Sequence, residues 1–127
     1  MPNFSAKDVE DEIRDCFDRY EAALTGNDVA ALTAFFWRDD RVVRLSSEGS
    51  LYGFDAIASF RKGRAATDMA RELLRVDVVA LSPDLGVATA EYRRTGSGRR
   101  GLQSQVWMRT ADGWRIASAH VSIEPPA

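Results

Sequence analysis

Cysteine and histidine are nearly missing from this 127-residue chain, each occurring once, as Cys16 and His120. A lone cysteine excludes an intramolecular disulfide and makes a reduced compartment, the cytoplasm, the simplest setting. With one histidine for company Cys16 is also a poor metal or nucleophile candidate, and the chain has too few histidines for a metal centre built on them. On the apolar side of a predicted helix, Cys16 reads as a small buried hydrophobe. No apolar run approaches the roughly 20 residues that span a bilayer, and Met1 to Val9 lack the basic segment and apolar core of a signal peptide. A basic excess is lacking too: 17 Lys and Arg against 19 Asp and Glu leave a net charge of −2, so nucleic acid is not an expected partner. The local cluster Arg93, Arg94, Arg99 and Arg100 brackets Thr95-Gly96-Ser97-Gly98 and reads as a solvated hairpin tip.

What is present is the composition of one ordinary globular domain, 45% hydrophobic and 28% charged. Val9, Ile13, Cys16, Phe17, Tyr20 and Leu24 recur at helical spacing against an acidic and basic opposite side, and Ser5 is placed to cap that helix. Gly26-Asn27 breaks the pattern, and Asp28 can cap a second helix carrying Val29, Leu32, Phe35 and Phe36. Val42 to Leu45 reads as a first strand with a polar turn after it. Asp55 to Arg64 reads as a third helix, with Arg61, Lys62 and Arg64 at its dipole-favoured end.

The remainder is β-rich, in four runs: 72–81, 86–94, 101–110 and 113–123, with a strong hairpin signal at Ala111-Asp112-Gly113. Helices followed by a meander of long antiparallel strands is an α+β plan, in which a strongly curved sheet encloses a pocket against the helices. Alternation groups Gln103, Gln105, Trp107 and Arg109 on one side, and Trp114, Ser118, His120 and Ser122 on one side of the last strand. Ser104 and Gln105 cannot both face inward unless a bulge intervenes. A sheet face left with large apolar groups invites a second copy of the chain.

Three residues carry two readings each. Arg44, in a strand otherwise of valine and leucine, either swings to solvent or points inward at an anion, since a buried arginine without an acid is costly and a carboxylate ligand relieves it. Tyr20 is either a packing tyrosine or a hydroxyl that reaches the pocket. His120 is the general base by residue type, and equally a hydrogen-bonded structural histidine.

The run FDRYEAALTGNDVAALTAFFWRDDRVVRLSSEGSLYGFDAIASFRKGR, followed by GLQSQVWMRTADGWRIASAHVSI, resembles the AtzH/HpxZ-like family of small NTF2-like (SnoaL-like) proteins. The resemblance covers nearly the whole chain. It rests on RYEAAL, NDVAAL and FFW, the arginine of VVR, LYG before a helix ending FRKGR, then QSQVW and GWRIASAHVS, in that order. It implies a cone-shaped barrel, three N-terminal helices on a strongly curved antiparallel sheet, usually a homodimer through the sheet face.

The implied activity is a cofactor-independent, decarboxylating amidohydrolase acting on a carboxylated urea such as 1,3-dicarboxyurea in cyanuric acid breakdown, with relatives that accompany amidases of oxalurate or ureide catabolism. The family's catalytic tyrosine and arginine map onto Tyr20 and Arg44; Tyr20 would deliver a proton to nitrogen and Arg44 would hold and polarise the carbonyl. Substrate-binding candidates are His120, Ser104, Gln105, Gln103, Trp37, Tyr52 and Arg61. Leu102 stands where relatives commonly carry arginine, and Leu45-Ser46 where they carry glycine with a nearby tyrosine, so the substrate is open to change. The alternatives are a non-catalytic pocket protein that binds a small carboxylate or steadies a partner amidase, and ketosteroid-isomerase-like proton transfer. The latter wants a pocket carboxylate, for which Asp77 and Glu91 are the strand candidates.

Overall fold

The computed structural model describes residues 5–63 and 69–125; Met1 to Phe4 and Arg64, named above, lie outside the described residues. The first helix, α1 (Ala6–Thr25), starts where the Ser5 hydroxyl accepts the Asp8 amide. Its stripe Val9, Ile13, Cys16, Phe17, Tyr20 and Leu24 is buried throughout. Asn27 takes a left-handed φ of 52°, which asparagine tolerates, and the Asp28 carboxylate caps α2 (Val29–Ala34) through the Ala31 amide at 3.1 Å. Two short strands follow, β1 (Val43–Ser46) and β2 (Leu51–Tyr52), then α3 (Phe54–Gly63). The long strands are β3 (Arg71–Ser82), β4 (Leu85–Arg94), β5 (Arg100–Thr110) and β6 (Gly113–Ile123).

All six described strands form one sheet in the order β2-β1-β6-β5-β4-β3. The long strands are the expected antiparallel meander, but β1 joins β6 in parallel, placing Arg44 beside Ala119. The Leu51-Tyr52 pair, assigned to no element in the sequence reading, makes a short edge strand against β1. The helices cover one face, and Ile13, Phe17, Leu32, Phe36, Val42, Ile57, Trp107 and Ile116 meet there, each at most 1% exposed.

A bulge decides which side chains face that core. Register shifts between Val106 and Trp107, so Val106 pairs with Ser118 while Trp107 pairs with Ile116. The grouping of Trp114 with Ser118, His120 and Ser122 is thereby corrected: Trp114 and Ile116 are buried, and the chain changes parity at the skipped Ala117. Beyond it Ala119 faces inward and His120 outward.

A candidate anion-binding active site

Between α1, α3, β1 and the inner face of β4–β5 lies a cavity of about 40 Å³ whose wall includes Tyr20, Arg44, Arg61, Arg71, Tyr92 and Gln103. A second chamber of about 150 Å³ shares Arg44, Arg94 and Val121 with it and continues to the β1–β2 turn at Ser46, Glu48 and Gly49. Arg44 therefore stands in the wall common to both.

The elements deliver these residues for simple reasons. Tyr20 is four positions before Leu24 on the buried stripe of α1, Arg61 is on the last turn of α3, and Arg44 faces inward because its β6 neighbour Ala119 does. On β4, Ala88, Ala90 and Tyr92 alternate inward; on β5, Gly101, Gln103, Gln105 and Trp107 do the same.

The electrostatics are unusual for an interior. Arg61 is 2% and Arg44 8% exposed. The Arg61 Nη2 donates to the Tyr20 hydroxyl oxygen at 2.7 Å, but its Nε and Nη1 and the Nε of Arg44 are buried with no hydrogen-bond partner among the described residues. Aromatic rings are their neighbours: the Arg61 guanidinium carbon is 5.5 Å from the Phe36 ring centre and that of Arg44 5.0 Å from Phe60. Burial first, and then the nearby Arg61 charge, push Arg44 below the ordinary arginine value. Arg44 and Arg61 thus bring positive charge to the cavity with buried donors unfilled among the described residues.

Arg71 differs, being paired. It donates through Nε to the Glu21 carboxylate at 2.9 Å and through Nη2 to Glu21 and to the Gln103 side-chain oxygen at 3.1 Å, while the Gln103 amide also donates to Glu21 at 3.1 Å. Glu21, Arg71, Gln103 and Tyr92 do not figure together in the sequence reading. The available signals were an acid adjoining Tyr20 on the apolar stripe of α1 and a tyrosine in phase with Ala88 and Ala90. Arg94, read as part of a solvated hairpin tip, is half-buried and lines both chambers, whereas Arg93 and Arg99 reach the Gly98 and Glu124 carbonyls at the surface.

Of the expected site residues, the fold brings Tyr20, Arg44, Arg61 and Gln103 together. The others lie elsewhere. Gln105 faces inward but deeper, accepting the Trp107 indole N–H at 3.0 Å. Ser104 and His120 pair with each other on the outer face of the sheet, on the side away from the helices, because inward Gln103 and Gln105 force their neighbours outward. They line an open groove there with Asp77, Thr89 and Glu91, so the two strand acids also face away from the cavity. Trp37 lies under the Arg41 guanidinium and lines a groove beside the β5–β6 turn, and Tyr52 is 67% exposed. Among the described residues no group of three or more His, Cys, Asp or Glu could hold a metal, and no helix is long and apolar enough to cross a membrane.

Comparison with known proteins places this arrangement. A crystal structure of a protein of unknown function from the DUF3225 family of Pectobacterium atrosepticum is 42% identical, with a TM-score of 0.88 over 93% of this chain and 92% of that one. A cystatin-like fold protein from Burkholderia xenovorans is 32% identical, with a TM-score of 0.86 over 93% and 95%. An NTF2-like protein of unknown function from Pseudomonas putida is 21% identical, with a TM-score of 0.80 over 94% and 89%, and shares the fold. No curated protein matches the chain. Structures of NTF2-like proteins share its fold, and the AtzH-like family model matches residues 3–126, so the chain belongs to the AtzH-like family.

Proposed function

We propose that the chain is a cofactor-independent enzyme that binds a small carboxylated urea, of the 1,3-dicarboxyurea kind, across the inner cavity and the chamber that adjoins it at Arg44, and removes one carboxyl group as carbon dioxide. The observation that carries this reading is the pair Arg44 and Arg61: two buried guanidinium groups with unfilled donors, converging on one cavity beside a phenol. A carboxylate supplies the missing acceptors and the missing charge.

The chemistry follows from the geometry of the donors. Arg44 and Arg61 hold carboxylate and carbonyl oxygens. Because Arg61 already donates to the Tyr20 oxygen, the hydroxyl hydrogen of Tyr20 is free to turn toward the ligand. As the bond between nitrogen and the departing carboxyl carbon breaks, its electron pair stays on nitrogen and takes the Tyr20 proton, and carbon dioxide leaves. The negative charge left on the Tyr20 oxygen faces the Arg61 donor until water returns a proton. Membership of the AtzH-like family supports the substrate class.

Purified protein given 1,3-dicarboxyurea is expected to release carbon dioxide, with the rate lost in Tyr20→Phe and Arg44→Ala. Equal release by those variants, or none by the wild type, would overturn the proposal. Thermal stabilisation by carboxylates without turnover would identify a binding protein instead.

A further inference from the structure

Tyr92 is wholly buried, with no exposed side-chain surface, and its hydroxyl has no hydrogen-bond partner among the described residues although it belongs to a cavity wall rich in donors. A buried hydroxyl without a partner is costly, and native interiors seldom leave one. Its placement is built by two other residues. The Arg71 guanidinium lies 4.0 Å from the ring centre, fixed in turn by Glu21 and Gln103. On the facing strand Gly101, paired directly with Tyr92, leaves open the space that the ring fills: a Cβ there would sit 2.1 Å from the Tyr92 ring carbon Cζ and 2.4 Å from its hydroxyl. No side chain larger than hydrogen at 101 is compatible with this ring position.

We infer that Tyr92 is a substrate-binding residue, its hydroxyl donating to a carboxylate oxygen of the ligand held by Arg44. A carboxylate offers about four lone-pair sites, room for the Tyr92 hydroxyl beside the unfilled donors of Arg44 and Arg61. A neutral hydroxyl adds a directed contact without adding to the charge already gathered there. Tyr20 and Tyr92 then divide the work: Tyr20, bonded to Arg61, moves the proton, and Tyr92, its hydroxyl unbonded among the described residues, positions the carboxylate. The inference rests on the proposed function for the identity of the substrate, but not for the existence of the anion site.

The test is Tyr92→Phe, which keeps the ring and its packing. With 1,3-dicarboxyurea the expected result is a rise in KM of about tenfold, the equivalent of 1.4 kcal/mol, with kcat within about twofold of wild type; Tyr20→Phe should instead lose kcat. Titration calorimetry with malonate supplies a readout independent of turnover, with Kd about tenfold weaker in Tyr92→Phe. Gly101→Ala, which displaces the same hydroxyl, should reproduce the weaker malonate binding. If the wild type binds malonate but releases no carbon dioxide, the proposed reaction fails while a weaker Tyr92→Phe Kd still upholds the inference. Malonate binding equal in wild type and Tyr92→Phe overturns it, as does the absence of malonate binding by the wild type.

Discussion

The Arg61 guanidinium donates to the Tyr20 hydroxyl at 2.7 Å across 41 positions of sequence, and this bond joins the last turn of α3 to the core stripe of α1. On the proposed mechanism it also aims the Tyr20 proton. Arg61→Met should therefore lower kcat by about 100-fold or more, the usual effect of removing a directed donor or acid from an active site. The check is carbon dioxide release under saturating 1,3-dicarboxyurea.

Arg44 is a buried charge without an acid partner among the described residues, so function and stability should oppose each other there. Arg44→Met is expected to raise unfolding free energy in ligand-free protein by about 1–3 kcal/mol while abolishing binding of malonate. Urea unfolding with and without malonate tests both halves, and a destabilised Arg44→Met protein contradicts the prediction.

Removing Glu21 should do the reverse. Glu21→Ala leaves Arg71, whose side chain is 6% exposed, as an uncompensated interior charge, a change that costs about 3–5 kcal/mol. The same substitution loosens the support under Tyr92, so chemical denaturation and malonate affinity should both deteriorate.

Acid sensitivity has an identifiable contributor away from the cavity. Glu12 accepts from the Trp114 indole at 3.1 Å and from Arg109 at 3.0 Å, and these bonds, Trp114 first, hold its carboxyl below the ordinary value of 4.5. A carboxyl depressed in the folded state stabilises above its unfolded value and loses that contribution as pH falls through the folded one. Wild type should therefore melt above Glu12→Gln at pH 7, with the gap closing below pH 4.5. Asp39, pushed down to about 2 by Arg41, follows the same sign to lower pH. Melting curves of the two proteins across the acid range measure it.

The outer sheet face bears on the expected homodimer. Val79, Val87 and Val106 lie in one row across three strands, and Val79, Leu81 and Leu102 are each more than half exposed. Apolar surface of this kind favours a second copy. Sedimentation should find a dimer for the wild type and a monomer for the Val79→Lys/Leu81→Lys double variant.

Local signals determined the elements of this protein. Hydrophobic spacing placed the buried stripe of α1, capping residues set the starts of α1 and α2, and the turn at Ala111-Asp112-Gly113 set the last hairpin, because each depends on neighbours a few positions apart. The period of two along β5 likewise put Gln103 and Gln105 on one face.

Tertiary structure alone decided how those faces combine. A one-residue bulge at Ala117, opposite Val106 and Trp107, turned His120 outward, an outcome that depends on pairing across strands and leaves no local pattern. Parallel pairing of β1 with β6 fixed the inward direction of Arg44, between two readings that its own strand left open. The convergence of Tyr20, Arg61, Arg71 and Tyr92 joins α1, α3, β3 and β4. Such a cavity belongs to the space between elements, where sequence distance carries no information about proximity.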